Sequence, residues 1–278
     1  MRILIANDDG IYSPGIATLA RVAQRFGNVR VVAPDVEQSS AGHAISSAKP
    51  LTYRRTRVID GVESYRVNGT PADCVALGAF HWEAVDVVLS GINLGPNLGN
   101  AMWHSGTLAA AKQAALLGLR GIALSTPVTG ENPDVSHLES HVERVLELLL
   151  PDPRLRLVNV NFPSAPTEIR WTRQAVEQYD GKVVPGTDPM GRQHFWFTVF
   201  PLDRHEPGTD LWAIQQGFVS ITPLRLDLTD HRLLADLAQR HPDPTGGVEP
   251  AEPPPGGDGP VDPGTGPVEQ TSSTPQAG

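Results

Sequence analysis

The sequence predicts an α/β fold: a doubly wound, mostly parallel sheet with a protruding β-hairpin extension. Three observations carry that expectation. Short apolar runs alternate with stretches of helical periodicity from Met1 to Asn161, the order that builds strand–helix–strand units and a parallel sheet. The apolar runs end in segments rich in Gly, Asn, Asp or Ser, as strands do where they leave a sheet. Beyond Trp171 the texture changes to Trp-, Phe- and Val-rich runs broken by Gly and Pro, which read as hairpins rather than further crossover units.

Taken in order, Arg2-Ile3-Leu4-Ile5-Ala6 is a strand-length apolar run that stops at Asn7-Asp8-Asp9-Gly10. Ile16, Leu19, Ala20, Ala23 and Phe26 then recur at helical spacing. Val29 to Ala33 is the second strand, stopped by Pro34. Gly69-Thr70-Pro71-Ala72-Asp73 reads as a helix start: a Thr cap, Pro at the first helical position and an acid in the first turn. Asp86 to Ser90 is a buried strand leading into a Gly91-Ile92-Asn93 loop. Leu108 to Leu117 is an Ala-rich, closely packed helix, and Gly121 to Leu124 the strand after it. His137 to Leu150 has the amphipathic helical pattern, and Leu157 to Asn161 is another strand. Lys182-Val183-Val184 and His194 to Phe200 suggest the hairpin, and Gly217 to Thr222 a late strand.

Composition bounds the rest. The chain has 278 residues, enough for one large α/β domain or two small ones. Hydrophobic residues make up 40% and charged residues 19%, so either the fold is loop-rich or part of the chain stays unfolded. A break near His241 locates that part. From Pro242 to Gly278 about half the residues are Pro or Gly, and six acids supply −6 of the −9 net charge. Such a segment buries too little apolar surface to offset its ordering entropy, so residues 241–278 are expected to form a disordered tail. Residues 1–240 are the expected folded part, with a core to about 170 and the hairpin extension over about 171–235. An acidic chain has no electrostatic affinity for duplex DNA. No run approaches the ~20 apolar residues of a membrane span, and the N-terminal apolar run gives way to acids rather than to a signal-peptide core. With Cys74 the only cysteine, the expectation is a soluble cytoplasmic protein.

In an open parallel sheet, ligands bind beyond the carboxyl ends of the strands. After the first strand come Asp8 and Asp9; after the second, Ser39, Ser40, Gly42 and His43; after the strand ending at Ser90, Asn93, Gly95, Asn97 and Gly99, then His104-Ser105-Gly106-Thr107. Two adjacent carboxylates repel unless a cation or proton lies between them. A hard divalent ion, Mg²⁺ or Mn²⁺, takes oxygen ligands that Asp8, Asp9, a Ser hydroxyl and an Asn amide can supply. An acid that merely caps the next turn is the alternative. Ser105, Gly106 and Thr107 open a helix, and the free amides of a helix N-terminus suit a phosphate; an ordinary N-cap with no ligand is the plainer reading. His104 and His43 are candidate general acids, although a loop histidine is more often a surface residue. Cys74 reads as core.

These motifs also occur in a known order. Ile5-Ala6-Asn7-Asp8-Asp9-Gly10, Ala33-Pro34-Asp35 running into Ser39, Gly69 to Cys74, Ser90-Gly91-Ile92-Asn93, Ser105-Gly106-Thr107 and Gly217 to Leu224 resemble the SurE family, the stationary-phase survival protein E phosphatases or 5′/3′-nucleotidases. The resemblance runs from Met1 to about Leu234. It implies a Rossmann-like core, a homodimer or homotetramer, one divalent metal ion, and hydrolysis of nucleoside 5′- or 3′-monophosphates. It places the metal ligands at Asp8, Asp9, Ser39 and Asn93, and the phosphate at Asn97 and Ser105-Gly106-Thr107. Asp8 or Asp9 would take a proton from water and Asn97 would stabilise charge on the phosphoryl oxygens, with His104 the candidate proton donor. His104 and His43 depart from relatives that carry Tyr and Asn there. A phospho-acceptor receiver domain, which also has an acidic pair after its first strand, and a non-catalytic nucleotide-binding module are the rival readings.

Overall fold

A computed structural model describes residues 1–127, 133–176, 181–199 and 206–241. The chain divides into two compact units, Met1–Leu228 and Thr229–Gly278. The first contains a nine-stranded sheet and a separate hairpin. Its elements are β1 (Arg2–Ala6), α1 (Pro14–Ala23), β2 (Asn28–Pro34), β3 (Tyr53–Thr56), β4 (Glu63–Val67), α2 (Pro71–Phe80), β5 (Val87–Leu94), α3 (Gly106–Leu116), β6 (Arg120–Thr126), α4 (Glu139–Leu149), β7 (Leu157–Asn161), β8 (Ile169–Trp171), β9 (Gly181–Thr187), β10 (Gln193–Val199), α5 (Asp210–Gln215) and β11 (Val219–Pro223). In the second unit, α6 (His231–Arg240) is capped by Asp230 and has no buried residue. Among the described residues no helix is long and apolar enough to cross a membrane.

The sheet order is β3-β4-β2-β1-β5-β6-β7-β11-β8. Strands β4, β2, β1, β5, β6 and β7 are parallel, while β3 and β11 run antiparallel to their neighbours β4 and β7. The period-2 alternation of β1 sorts its side chains between two cores. Ile3 and Ile5 join α1 and α4 residues such as Leu19 and Leu146 on one face, whereas Leu4 and Ala6 join Cys74 of α2 and Ala110 of α3 on the other. The direction of winding reverses at β1, between β2 and β5, so the chain leaving β1 enters the crevice at the switch point of the sheet.

The mostly parallel α/β sheet expected from the sequence is present, and three differences have local causes. The Gly91-Ile92-Asn93 segment is not a loop after β5 but its continuation, which reaches Leu94 with a register shift between Ser90 and Asn93. At Gly91 the backbone has φ +135°, and a Cβ would stand 2.2 Å from Leu124 O; only glycine lets the strand approach β6 this closely. The short edge strand β3 and its neighbour β4 were not foreseen, because Tyr53-Arg54-Arg55-Thr56 and Glu63 to Val67 are too polar to read as strands. Finally, β11 lies beyond the hairpin but returns to the main sheet beside β7, so the sheet does not end at the expected division near residue 170. The hairpin itself is β9 paired antiparallel with β10. Phe200 and the acidic tail from Pro242 lie outside the described residues.

Candidate active site

Beyond β1 the chain turns tightly. Asn7 Nδ2 donates to Gly10 O at 2.9 Å, and Ile11 N–H donates to Pro34 O at 2.8 Å, which sends the chain back along β2. Asp8 and Asp9 are thereby held at the carboxyl edge of the sheet. Asp8 is 5% exposed. Its Oδ1 accepts the Thr107 hydroxyl at 2.6 Å, and the Thr107 backbone N–H also bonds to this carboxylate. Ser105 caps α3, its Oγ accepting Leu108 N–H at 3.0 Å. The N-terminus of α3 is therefore aimed at Asp8, whose charge its dipole favours. Gly106 is the point of approach: a Cβ there would lie 2.7 Å from Asp8 Cβ.

Behind Thr107 lies a buried amide network. Asn97 Nδ2 donates to Ser125 Oγ at 2.8 Å and more weakly to Thr107 Oγ1 at 3.3 Å. The Asn97 backbone is fixed in turn: its N–H donates to Asn161 Oδ1 at 2.8 Å, and its carbonyl accepts from Asn159 and Asn161 at 2.7 and 3.0 Å. Sequence reading passed over Asn159, Asn161 and Ser125. The available signal was two asparagines in a strand whose every residue is buried, since a buried amide calls for hydrogen-bond partners; Asn159 finds them for Nδ2, while its Oδ1 has none among the described residues.

The second carboxylate, Asp9, accepts Leu94 N–H at Oδ2, 3.1 Å away. Burial and then the neighbouring Asp8 charge push its carboxyl up to about 7. Burial also raises Asp8, against the opposing effect of Thr107. Glu37, which sequence reading did not single out, adds a third negative charge that raises both. A crevice that so disfavours its own carboxylates suits a cation. Among the described residues no group of three or more His, Cys, Asp or Glu is placed to hold a metal, so an ion here depends on a mixed oxygen set. Asn93 Nδ2 is bonded to Gly95 O at 2.6 Å, so the amide oxygen is the end a hard ion would take. Ser39 is exposed and donates its hydroxyl to Glu37 Oε1 at 2.5 Å; its loop is tied to Asp8 by Gln38 N–H on Asp8 O at 2.7 Å. Asn7 Oδ1 and Ser90 Oγ are buried without a hydrogen-bond partner at the adjoining ends of paired strands. Two carboxylates with neighbouring hydroxyl and amide oxygens form the hard donor set that Mg²⁺ or Mn²⁺ prefers, and the residues fit such an ion.

The histidines lie on the rim. His104 is exposed at the end of a 3-10 helical turn, Gly99–Trp103, and its carbonyl accepts Gly42 N–H at 3.1 Å. His43 Nε2 pairs with Gln113 Oε1 at 2.9 Å. A cavity of about 460 Å³ opens beside Asp9, lined by Gly10, Tyr12, Asp35, Val36, Glu37 and Leu94 among others. The structure thus joins Asp8, Asp9, Asn97, Ser105, Gly106 and Thr107 around one strand end. It sets Ser39, Asn93 and His104 at the border of that group.

Fold and site together define an α/β protein with a carboxylate-led crevice at the switch point of a doubly wound sheet. The chain belongs to the survival protein SurE family, whose model matches residues 3–181. It is 45% identical over 245 residues to "5'-nucleotidase SurE 1" of Thermus thermophilus, a match covering 86% of this chain and 97% of that protein. It is 43% identical over 251 residues to "5'-nucleotidase SurE" of Deinococcus radiodurans, covering 87% and 93%. Among solved structures, the SurE protein from Aquifex aeolicus superposes with a TM-score of 0.74 at 35% identity, covering 86% of this chain and 99% of that one.

Proposed function

We propose that the protein is a metal-dependent phosphomonoesterase that hydrolyses nucleoside 5′-monophosphates to nucleoside and phosphate, with 3′-monophosphates as further substrates. The observation that carries this reading is the Asp8-Asp9 pair, set against the N-terminus of α3 at the switch point of the sheet. The names of the relatives, 5'-nucleotidase, support the same activity. Asp8, Asp9, Ser39 and Asn93 would hold one Mg²⁺ or Mn²⁺, which when bound polarises a phosphoryl oxygen and assists attack by water. Asp8, gripped by the hydroxyl and amide of Thr107, is the fixed ligand. Asp9, held by one amide of β5, would take the proton of the attacking water. Asn97 and the amides at the N-terminus of α3, Ser105, Gly106 and Thr107, would offset charge on the phosphoryl oxygens, although Thr107 already serves Asp8 and the Asn97 amide already donates to Ser125 and Thr107. His104, exposed at the end of the 3-10 turn, would protonate the leaving alkoxide. The cavity beside Asp9 is of a size to admit a nucleoside.

We further infer a homodimer or homotetramer. The hairpin supports this: Phe195 and Phe197 on one face of β10 and Trp196 on the other are each 64–65% exposed, apolar surface of the kind buried between subunits. A cytoplasmic location suits a chain whose single cysteine is a buried free thiol. A matrix of nucleoside monophosphates against Mg²⁺, Mn²⁺ and EDTA, with released phosphate as readout, tests the activity. Turnover that EDTA abolishes supports the reading. Stoichiometric binding without turnover under every metal would replace it with a binding module.

A further inference from the structure

We infer that Asp210, far from the Asp8-Asp9 pair in sequence, is a positioning residue for the proposed phosphate site. Asp210 is fully buried at the first position of α5. Its carboxylate accepts three backbone N–H groups: Gly99 on Oδ2 at 2.8 Å, and Ala175 and Leu211 on Oδ1 at 2.9 and 2.8 Å. Leu211 is its own neighbour in α5, but Gly99 and Ala175 belong to two other parts of the chain. Gln174 makes a second bond to the same point, Nε2 donating to Gly99 O at 2.9 Å. Both backbone polar groups of Gly99 are therefore held from outside its own turn.

The position of Gly99 gives this clamp its consequence. Gly99 lies two residues after Asn97 and opens the 3-10 helical turn that delivers His104 and the Ser105 cap of α3. Asn97 itself is held at its N–H and its carbonyl by Asn161 and Asn159, and Asp210 adds the next constraint two residues downstream. His104 then carries the position onward, its carbonyl accepting Gly42 N–H from the loop that bears Ser39. A buried carboxylate with three amide donors is a rigid anchor, because each bond is charge-assisted and shielded from water. The two segments it joins, at Ala175 and at α5 itself, are also the chain leading into and out of the β9–β10 hairpin, so the hairpin is rooted in the same clamp.

This inference rests on the hydrolytic reading, and the two fail differently: wild-type protein without turnover removes the reading, whereas the clamp is judged only from ratios to an active wild type. The test is Asp210→Asn, assayed for kcat and KM on a nucleoside 5′-monophosphate, for Mn²⁺ affinity by electron paramagnetic resonance, and for Tm. Replacing one accepting oxygen by an amide NH₂ releases either Gly99 or the Ala175–Leu211 pair. A misplacement of about 1 Å costs up to ~100-fold in rate, so kcat is expected to fall about 10- to 100-fold while KM and Mn²⁺ affinity change less than about threefold. Thr209→Ala is the control. It removes the α5 cap on Trp212 N–H without touching Gly99, and should lower Tm while keeping kcat within about twofold. Asp210→Asn with kcat within twofold of wild type overturns the inference, as does a Thr209→Ala loss of kcat in proportion to its loss of Tm. If Asp210→Asn does not fold, Gln174→Ala decides: a several-fold drop in kcat supports the clamp, and an unchanged kcat overturns it.

Discussion

Asp8 has two attachments that can be separated by substitution. Asp8→Asn keeps the shape and the Thr107 hydrogen bond but removes the charge an ion requires. It should abolish metal-dependent turnover while leaving the circular dichroism spectrum and Tm near wild type. Activity retained at saturating Mn²⁺ would refute the ligand role. Gly106→Ala probes the same carboxylate from the helix side. Alanine favours a helix over glycine by up to about 1 kcal/mol, yet its Cβ would press on Asp8 at 2.7 Å. The expected outcome is a large loss of phosphatase activity with no gain in Tm. An active, more stable Gly106→Ala protein would show that helix and carboxylate need not meet.

At the scale of the element, α2 shows how a local motif becomes a stability term. Thr70 Oγ1 accepts Asp73 N–H at 3.2 Å, and Asp73 Oδ2 accepts Thr70 N–H at 2.9 Å, a reciprocal capping box. Asp73 Oδ1 also accepts Ser46 N–H at 3.0 Å from a distant loop. Burial acts to raise the Asp73 carboxyl, but these hydrogen bonds outweigh it and hold it below its ordinary value of 3.8. A carboxyl depressed in the folded state stabilises fully above its unfolded pKa and loses that contribution as pH falls through its lower native value. Asp73→Ala should therefore cost about 1–2 kcal/mol at neutral pH. The gap between the two proteins in urea or thermal melts should narrow once the pH drops below 3.8. A gap that stays constant down to the acid limit would mean the carboxylate charge contributes nothing.

Across the whole molecule, the hairpin is the part that the main sheet does not explain. It forms a two-stranded sheet of its own, and an isolated hairpin is marginally stable in water. In the proposed assembly its aromatic residues would gain from burial against another copy. Light scattering coupled to gel filtration should report a dimer or tetramer for the wild type. Joint replacement of Phe195 and Trp196 by Ser should shift the protein toward smaller species. A monomeric wild type, or an unaltered mass in the double variant, contradicts that assembly.

The main elements and the acidic pair Asp8-Asp9 at a strand end were legible in the sequence because their signals are local. Apolar runs at strand length, helical periodicity, the Thr70-Pro71 cap and two acids at a strand end need no knowledge of distant residues. Sequence order alone also put Asp8, Asp9, Ser39, Asn93, Asn97 and Ser105 after strands of one expected sheet. The tertiary structure decided what each of them touches. Thr107 turned out to serve Asp8, Asn97 to be embedded among Asn159, Asn161 and Ser125, and Asn93 to lie within a strand that Gly91 lets run on. Glu37 and Asp210 acquire their places only because folding brings residues 29, or 111, positions apart into contact or electrostatic reach. Hydrogen bonds and charge coupling depend on distance in space, and that distance is set by the packing of the whole sheet.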